Sequence, residues 1–201
     1  MINFYDTLAI DSQMRDNHIM IQKHKLPEVI FREYDIRGKV GPDLRIDQIY
    51  DLGRAIAYFF KKKNPELKTI ALGMDGRIHS QDIKQKLVEA FTDSGINVTC
   101  IGVCHSPELY FAMHNLPVQA GIMITASHNP REYNGMKLVR AEAIPISGDS
   151  GIGEIKQMVI DGLVLDPDTK GGIEKKDITD AYIEHCLSFI DVSKIKPIKL
   201  V

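Results

Sequence analysis

Residues 125–130 read Thr-Ala-Ser-His-Asn-Pro and leave the apolar run Ala120-Gly121-Ile122-Met123-Ile124 directly. Unbroken apolar character through Ile124 predicts a strand buried on both faces. Asn129-Pro130 forces the turn, because proline has no N–H and biases its predecessor away from helix. Ser127 therefore stands at a strand's carboxyl end, the edge at which open α/β sheets bind ligands. Cations and glycine-bearing loops accompany it: Arg37 in Tyr-Asp-Ile-Arg-Gly, Arg77 in Met-Asp-Gly-Arg, then Arg131, a turn at Asn134-Gly135 and Lys137 beyond that turn. A hydroxyl among cations suits phosphate chemistry, since a phosphoserine carries about −1.5 to −2 charge and needs donors aimed at its oxygens. Composition alone also allows an ordinary polar loop with solvated surface charges.

The elements that must position these groups alternate. Asp47–Lys63 places Ile49, Leu52, Ile56, Phe59 and Phe60 on one helical face and ends in Lys61-Lys62-Lys63, suited to the negative end of a helix dipole. Thr69–Met74 reads as a strand, Asp75-Gly76-Arg77 as a turn, and Ser80 as the cap of a helix carrying Ile83, Leu87 and Phe91 on one face. Gly95 closes that helix before a strand over 96–103; Ser106-Pro107-Glu108 then opens a helix to about Asn115, with Ser106 as its cap. This order predicts an α/β fold with a mostly parallel, twisted sheet and helices on both faces. The loops after its strands, Asp75–Arg77, His105–Pro107 and Thr125–Pro130, share one rim.

Four ordered motifs, Phe31-Arg32-Glu33-Tyr34-Asp35-Ile36-Arg37-Gly38, Gly73-Met74-Asp75-Gly76-Arg77, Thr125–Pro130 and Tyr133-Asn134-Gly135-Met136-Lys137, resemble those of the α-D-phosphohexomutases. The likeness is to the bacterial phosphomannomutase/phosphoglucomutase branch, from about Ile30 onward, over the first domain of that family. It implies a mutase that interconverts 1-phospho and 6-phospho hexoses through a phosphoserine at Ser127 and a bisphosphate intermediate. By the same likeness Lys137 helps move the hydroxyl proton, and Arg37 and Tyr34 line the reacting phosphate or sugar; His128, which an extended backbone would turn away from Ser127, is a poor base for it and is given a phosphate or active-site contact. Arg77 and Asp75 are structural supports. It further implies Mg²⁺, held in this chain through the Ser127 phosphate alone, and a hexose 1,6-bisphosphate activator. Met74 stands where relatives carry arginine, and Ser106 where they carry threonine.

Twenty-five basic and 27 acidic residues leave a formal charge of −2, which argues against nucleic acid or a membrane surface as partner. The expected partners are a hexose phosphate and the remaining mutase domains, in cis or in trans. No run approaches the roughly 18 apolar residues of a membrane helix, and Cys100, Cys104 and Cys186 lack zinc spacing, so a cytoplasmic chain with reduced thiols is expected. Residues 1–26 read as a flexible arm, 27–160 as the serine-bearing domain, 161–195 as a polar connector followed by a helix over 179–190, and 196–201 as the first strand of a further domain. Ser147–Gly153 reads as a turn before a helix. Missing later-domain loops leave a second function open, a non-catalytic sugar-phosphate or protein-binding module. A serine hydrolase is disfavoured because Gly-x-Ser-x-Gly is missing.

Overall fold

A computed structural model describes residues 26–199; the expected arm lies outside them except for Leu26, which packs into the core. The elements in chain order are β1 (Ile36–Lys39), α1 (Ile49–Lys63), β2 (Thr69–Met74), α2 (Ser80–Asp93), β3 (Asn97–Val103), α3 (Ser106–Asn115), β4 (Ala120–Ile124), β5 (Tyr133–Arg140), β6 (Ile144–Pro145), α4 (Gly153–Asp161), β7 (Ile173–Lys175) and α5 (Thr179–Leu187). They form one sheet in the order β1-β5-β4-β2-β3-β7, with β6 on β5. Strands β4, β2, β3 and β7 are parallel neighbours, as the strand–helix alternation requires; β5 returns antiparallel beside β4, and β1 antiparallel beside β5.

The period-2 pattern of the strands sorts the core into two layers. Ile70, Leu72, Ile122, Ile124, Met136 and Leu138 join the larger cluster with Ile56, Phe59, Ile83, Phe91 and Ile155, under α1, α2 and α4. Ala71, Ile101, Met123 and Val139 join Leu109, Ala112 and Met113 under α3 on the opposite face. Each fully buried Ile, Leu or Phe contributes about 1.5–3 kcal/mol relative to exposure, so the sheet is held from both sides. Helices α1 and α2 approach closely at Gly53, where a Cβ would come within 2.6 Å of Ala90 Cβ.

Several local expectations shift. Helix α1 begins at Ile49, after a 3-10 turn over Ile46–Gln48, rather than at Asp47. Ser80 is not a cap: it lies inside α2, and its hydroxyl donates to Asp75 Oδ1 at 2.7 Å. His105, not Ser106, caps α3, in a reciprocal box in which the His105 N–H donates to Glu108 Oε2 at 2.9 Å. Asn134-Gly135 is not a turn but the start of β5, because burial and pairing with β1 outweigh its turn chemistry. The expected connector contains β7, and the following helix ends at Leu187 before two looser turns. Ser147–Gly153 is indeed a turn leading into a helix. Lys196–Lys199 form no strand, and the last two residues lie outside the described range. Among the described residues, no helix is long and apolar enough to cross a membrane.

Candidate active site

The site grows from the carboxyl ends of β2, β3 and β4. Backbone bonds bind the three exits to the sheet: Asp75 N–H to Ile124 O at 2.9 Å, Cys104 N–H to Met74 O at 2.8 Å, and Thr125 N–H to Gly135 O at 3.0 Å. Beyond Thr125 the chain turns sharply. Ala126 is fully buried, whereas Ser127 is exposed and adopts a left-handed conformation (φ 54°), uncommon for a residue with a Cβ. Its N–H donates to Thr125 Oγ1 at 2.9 Å, and Asn129 N–H donates to Ala126 O at 3.0 Å.

Arg77 holds this loop from outside. Its Nη1 donates to Pro130 O (2.8 Å) and Tyr133 O (3.1 Å), and its Nη2 to Ser127 O (2.9 Å) and Asn129 O (2.7 Å). Nε donates to Asp75 Oδ2 at 3.1 Å. The planar fork thus satisfies four loop carbonyls and one carboxylate, which an ammonium cannot do from a single position. Asp75 Oδ1 accepts from Arg77 N–H and the Ser80 hydroxyl, and that hydroxyl accepts from the fully buried Asn134 at 3.0 Å. A continuous polar network therefore runs from β5 through α2 to the serine loop. The structural role expected for Arg77 and Asp75 is visible in these bonds.

Arg37 and Lys137 approach from the sheet's antiparallel edge. Arg37 Nη1 donates to Asn129 Oδ1 and Nη2 to Asp35 Oδ2; Lys137 Nζ lies 3.6 Å from the same Asp35 oxygen. Arg37 is paired with Gly135 across β1 and β5. A Cβ at Gly135 would sit 2.2 Å from Ile36 O and 2.8 Å from Arg37 Cα, so only glycine lets the strands meet there. His128 departs from expectation. Extended backbone would turn it away from Ser127, but the left-handed turn brings its Nδ1 to 3.4 Å from Ser127 Oγ. Tyr34 is 72% exposed.

Asp35, Asn129 and Asn134 complete the constellation and carry no site role in the sequence reading. Asp35 had a signal, since residues two apart at a strand entry share a face with Arg37; Asn129 and Asn134 acquire their partners only through folding. Beside the serine runs an open cleft of about 910 Å³ lined by Gly76, Ile78, His79, Ser127, Arg131 and Glu132. Arg37 Nε and His79 Nδ1 are buried without a hydrogen-bond partner.

Cys104, at the β3 exit, is not a reactive group. Burial, with a smaller contribution from the Glu108 charge, pushes its thiol up to about 12, and its sulfur lies 3.9 Å from Met123 Sδ. A resident Mg²⁺ does not fit the described residues alone: they contain no cluster of three His, Cys, Asp or Glu able to hold a metal, and Asp35 and Asp75 are engaged by cations. Mg²⁺ takes oxygen ligands, usually one or two free carboxylates together with phosphate oxygens and waters.

Residues 28–176 match the model of phosphoglucomutase/phosphomannomutase, alpha/beta/alpha domain I. The chain belongs to this family. A phosphomannomutase of Vibrio cholerae is 44% identical over 171 residues, and one of Escherichia coli K12 is 42% identical over 173. Each alignment covers 85% of this chain and 37% of the relative, so the chain spans somewhat more than a third of the length of these family members. Among solved structures, a phosphoglucomutase/phosphomannomutase family protein of Burkholderia thailandensis superposes with a TM-score of 0.74 at 26% identity, covering 85% of this chain and 38% of that one. A putative phosphomannomutase of Thermus thermophilus shares the fold with a TM-score of 0.70 at 24% identity, covering 81% of this chain and 36% of that one. All of the site residues described above lie within the segment matched to the family.

Proposed function

We propose that this chain carries the phosphoryl-bearing serine of a phosphohexomutase that interconverts 1-phospho and 6-phospho hexoses. The observation that carries this reading is the combination at Ser127: an exposed hydroxyl on a loop whose carbonyls and exit take four Arg77 side-chain bonds, with Arg37 tied to the same loop through Asn129. A covalent carrier needs a fixed oxygen more than a strong base, because phosphoryl transfer depends on in-line positioning and charge neutralisation.

In the forward half-reaction, a sugar hydroxyl attacks the phosphorus of phosphoserine 127. The bond from phosphorus to Ser127 Oγ breaks as the bond to the sugar oxygen forms. The hydroxyl's proton passes to Lys137, which takes it as the neutral amine, and Ser127 Oγ is protonated on departure. His128, 3.4 Å from that oxygen, is placed to supply the proton. Arg37 neutralises the travelling phosphoryl group, which is worth most where water is excluded. The resulting bisphosphate reorients and returns its other phosphoryl group to Ser127, splitting one exchange into two transfers. The remaining domains, in cis or in trans, would hold the sugar. A cytoplasmic setting accords with three free thiols.

The reading is tested by incubating the chain with glucose 1,6-bisphosphate, with and without the remaining mutase domains in trans, and locating phosphate by peptide mass spectrometry. One phosphate on Ser127, lost in Ser127→Ala, is expected. No phosphate under either condition overturns it. Binding of hexose phosphate without exchange of label would instead establish the non-catalytic module.

A further inference from the structure

At the opposite end of β4 from the serine loop, where β2 and β4 begin and β5 ends, lies a cavity of about 490 Å³. Its floor is apolar: Phe59, Phe60, Leu67 and Ile146 line it and are each no more than 2% exposed. Its mouth is charged, because Arg140 and Glu142 line it as well and both are exposed. Neither side chain has a hydrogen-bond or ion-pair partner among the described residues, and the two do not pair with each other. The phosphoryl chemistry at the other rim uses neither of them.

One amide on the wall is oriented in advance. Gln119 Oε1 accepts from the backbone N–H groups of Lys68 (3.1 Å) and Thr69 (2.9 Å), which fixes the flip of the side chain and leaves its N–H groups unpartnered among the described residues. Lys63 on the same wall is already engaged: Nζ donates to Glu154 Oε1 at 2.6 Å and lies over the Phe59 ring. The free groups are therefore a guanidinium, an amide donor and a carboxylate.

Backbone strain accompanies the placing of Glu142. The turn from β5 to β6 holds Glu142 (φ 63°, ψ 24°) and Ala143 (φ 55°) successively in the left-handed region, where glycine or asparagine is the usual choice. Arg140 pairs with Ile144 across the turn, and the half-buried Ala143 packs against the core layer under α3, so the conformation is pinned from both sides. Strain of this kind gathers at ligand sites. We propose that this cavity binds an apolar α-amino acid, with its carboxylate on Arg140 and the Gln119 amide, its ammonium on Glu142 and its side chain on the phenylalanine floor. A simple anion would meet the like charge of Glu142, and a simple cation that of Arg140. A zwitterion satisfies both, a guanidinium suits a carboxylate in paired bonds, and an apolar tail displaces water from the floor.

Nuclear magnetic resonance titration of the isotope-labelled chain with L-leucine, L-isoleucine, L-methionine and L-phenylalanine tests this. At least one of them should shift the Gln119 side-chain amide and the backbone amides of 140–144, approaching saturation by about 10 mM, while the Ser127 and His128 amides stay in place. For the amino acid that binds, its deaminated acid and its decarboxylated amine should each bind at least about tenfold more weakly, since each gives up one charge-assisted contact. Arg140→Gln should weaken the amino acid about tenfold without weakening the amine, and Glu142→Gln should bring it down to the level of the acid. Glu142→Gly, which suits the left-handed turn, guards against a folding artefact and should lose affinity as Glu142→Gln does. Absence of shifts with all of these amino acids, shifts confined to the serine loop, a half-ligand as tight as its parent, or unchanged affinity in either glutamine variant overturns the proposal. The readout needs no phosphoryl transfer, so a chain that takes no phosphate on Ser127 defeats the mutase reading while this titration still decides the cavity.

Discussion

The serine loop and helix α5 invert the usual expectation that loops are loose and helices firm. Thr125–Pro130 has no repeating structure, yet Ala126 is buried beneath it and Arg77 holds four nearby carbonyls. Helix α5 has regular hydrogen bonds but no buried residue. It meets α3 mainly through rings: Tyr182 lies edge-on to His105 and Phe111, and His185 packs between Phe111 and Phe189. A hollow of about 450 Å³ remains between the two helices, lined by Tyr110, Phe111, His114, Tyr182, His185 and Phe189. Ile183, Leu187, Phe189 and Ile190 stay in solvent. Local fixation thus follows satisfied polar groups and buried contacts rather than secondary-structure type.

Arg77→Ala should break this contrast most. It removes five side-chain hydrogen bonds, and the loss should be on the order of 2–3 kcal/mol by urea unfolding, since the donors are partly solvated and some carbonyls regain water. Amide exchange in 125–130 should accelerate as well. Arg77→Lys should recover little of either, because a point charge cannot serve the four carbonyls.

The thiols provide a smaller test of the same difference. At pH 8, Cys186 on α5 should react with an aromatic disulfide reagent as the single fast equivalent, while Cys100 and Cys104, both pushed up by burial, lag far behind. For Cys104, the folded state favours the neutral thiol. Its contribution is complete below the ordinary thiol value of 9.0 and is lost as pH rises towards about 12. The loss of stability between those limits should therefore be smaller in Cys104→Ala than in wild type, by on the order of 1 kcal/mol after allowing for solvent screening.

Phe189→Ser should matter least. At 74% exposure the ring has little burial to lose, and the melting midpoint should move by less than the equivalent of about 0.5 kcal/mol. Hydrogen exchange should show α5 opening well before β4. A large loss of stability in Phe189→Ser, or protection of α5 equal to that of β4, would show that the ring stack holds the helix as firmly as Arg77 holds the loop.

Residue type and spacing carried much of the candidate site. The apolar run into Thr125 and the proline at 130 located Ser127 at a strand end, and Arg77 beside Gly76 was readable as a support. The misreadings have specific causes. Asn-Gly is strong turn chemistry in isolation, but at 134–135 the asparagine amide is buried against Ser80 and the glycine admits β1. Alternation predicted a His128 facing away from Ser127; one left-handed residue cancels alternation. Ser80 and Ser106 resemble caps, yet one hydroxyl is engaged by Asp75 and the other is displaced by a box built on His105.

By itself, the sequence determined the strand–helix alternation, the two apolar faces of the sheet and the strand-end address of the serine, because each depends on periodicity within a few residues. Only the tertiary structure decided that β5 returns antiparallel, that Arg77 reaches carbonyls 50–56 positions away, and that Arg37 grips Asn129 across 92. It also decided that one Asp35 oxygen is shared by Arg37 and Lys137. Such contacts leave no local period, since they arise when separate strands and loops are packed onto one edge and every buried polar group must find its partner there.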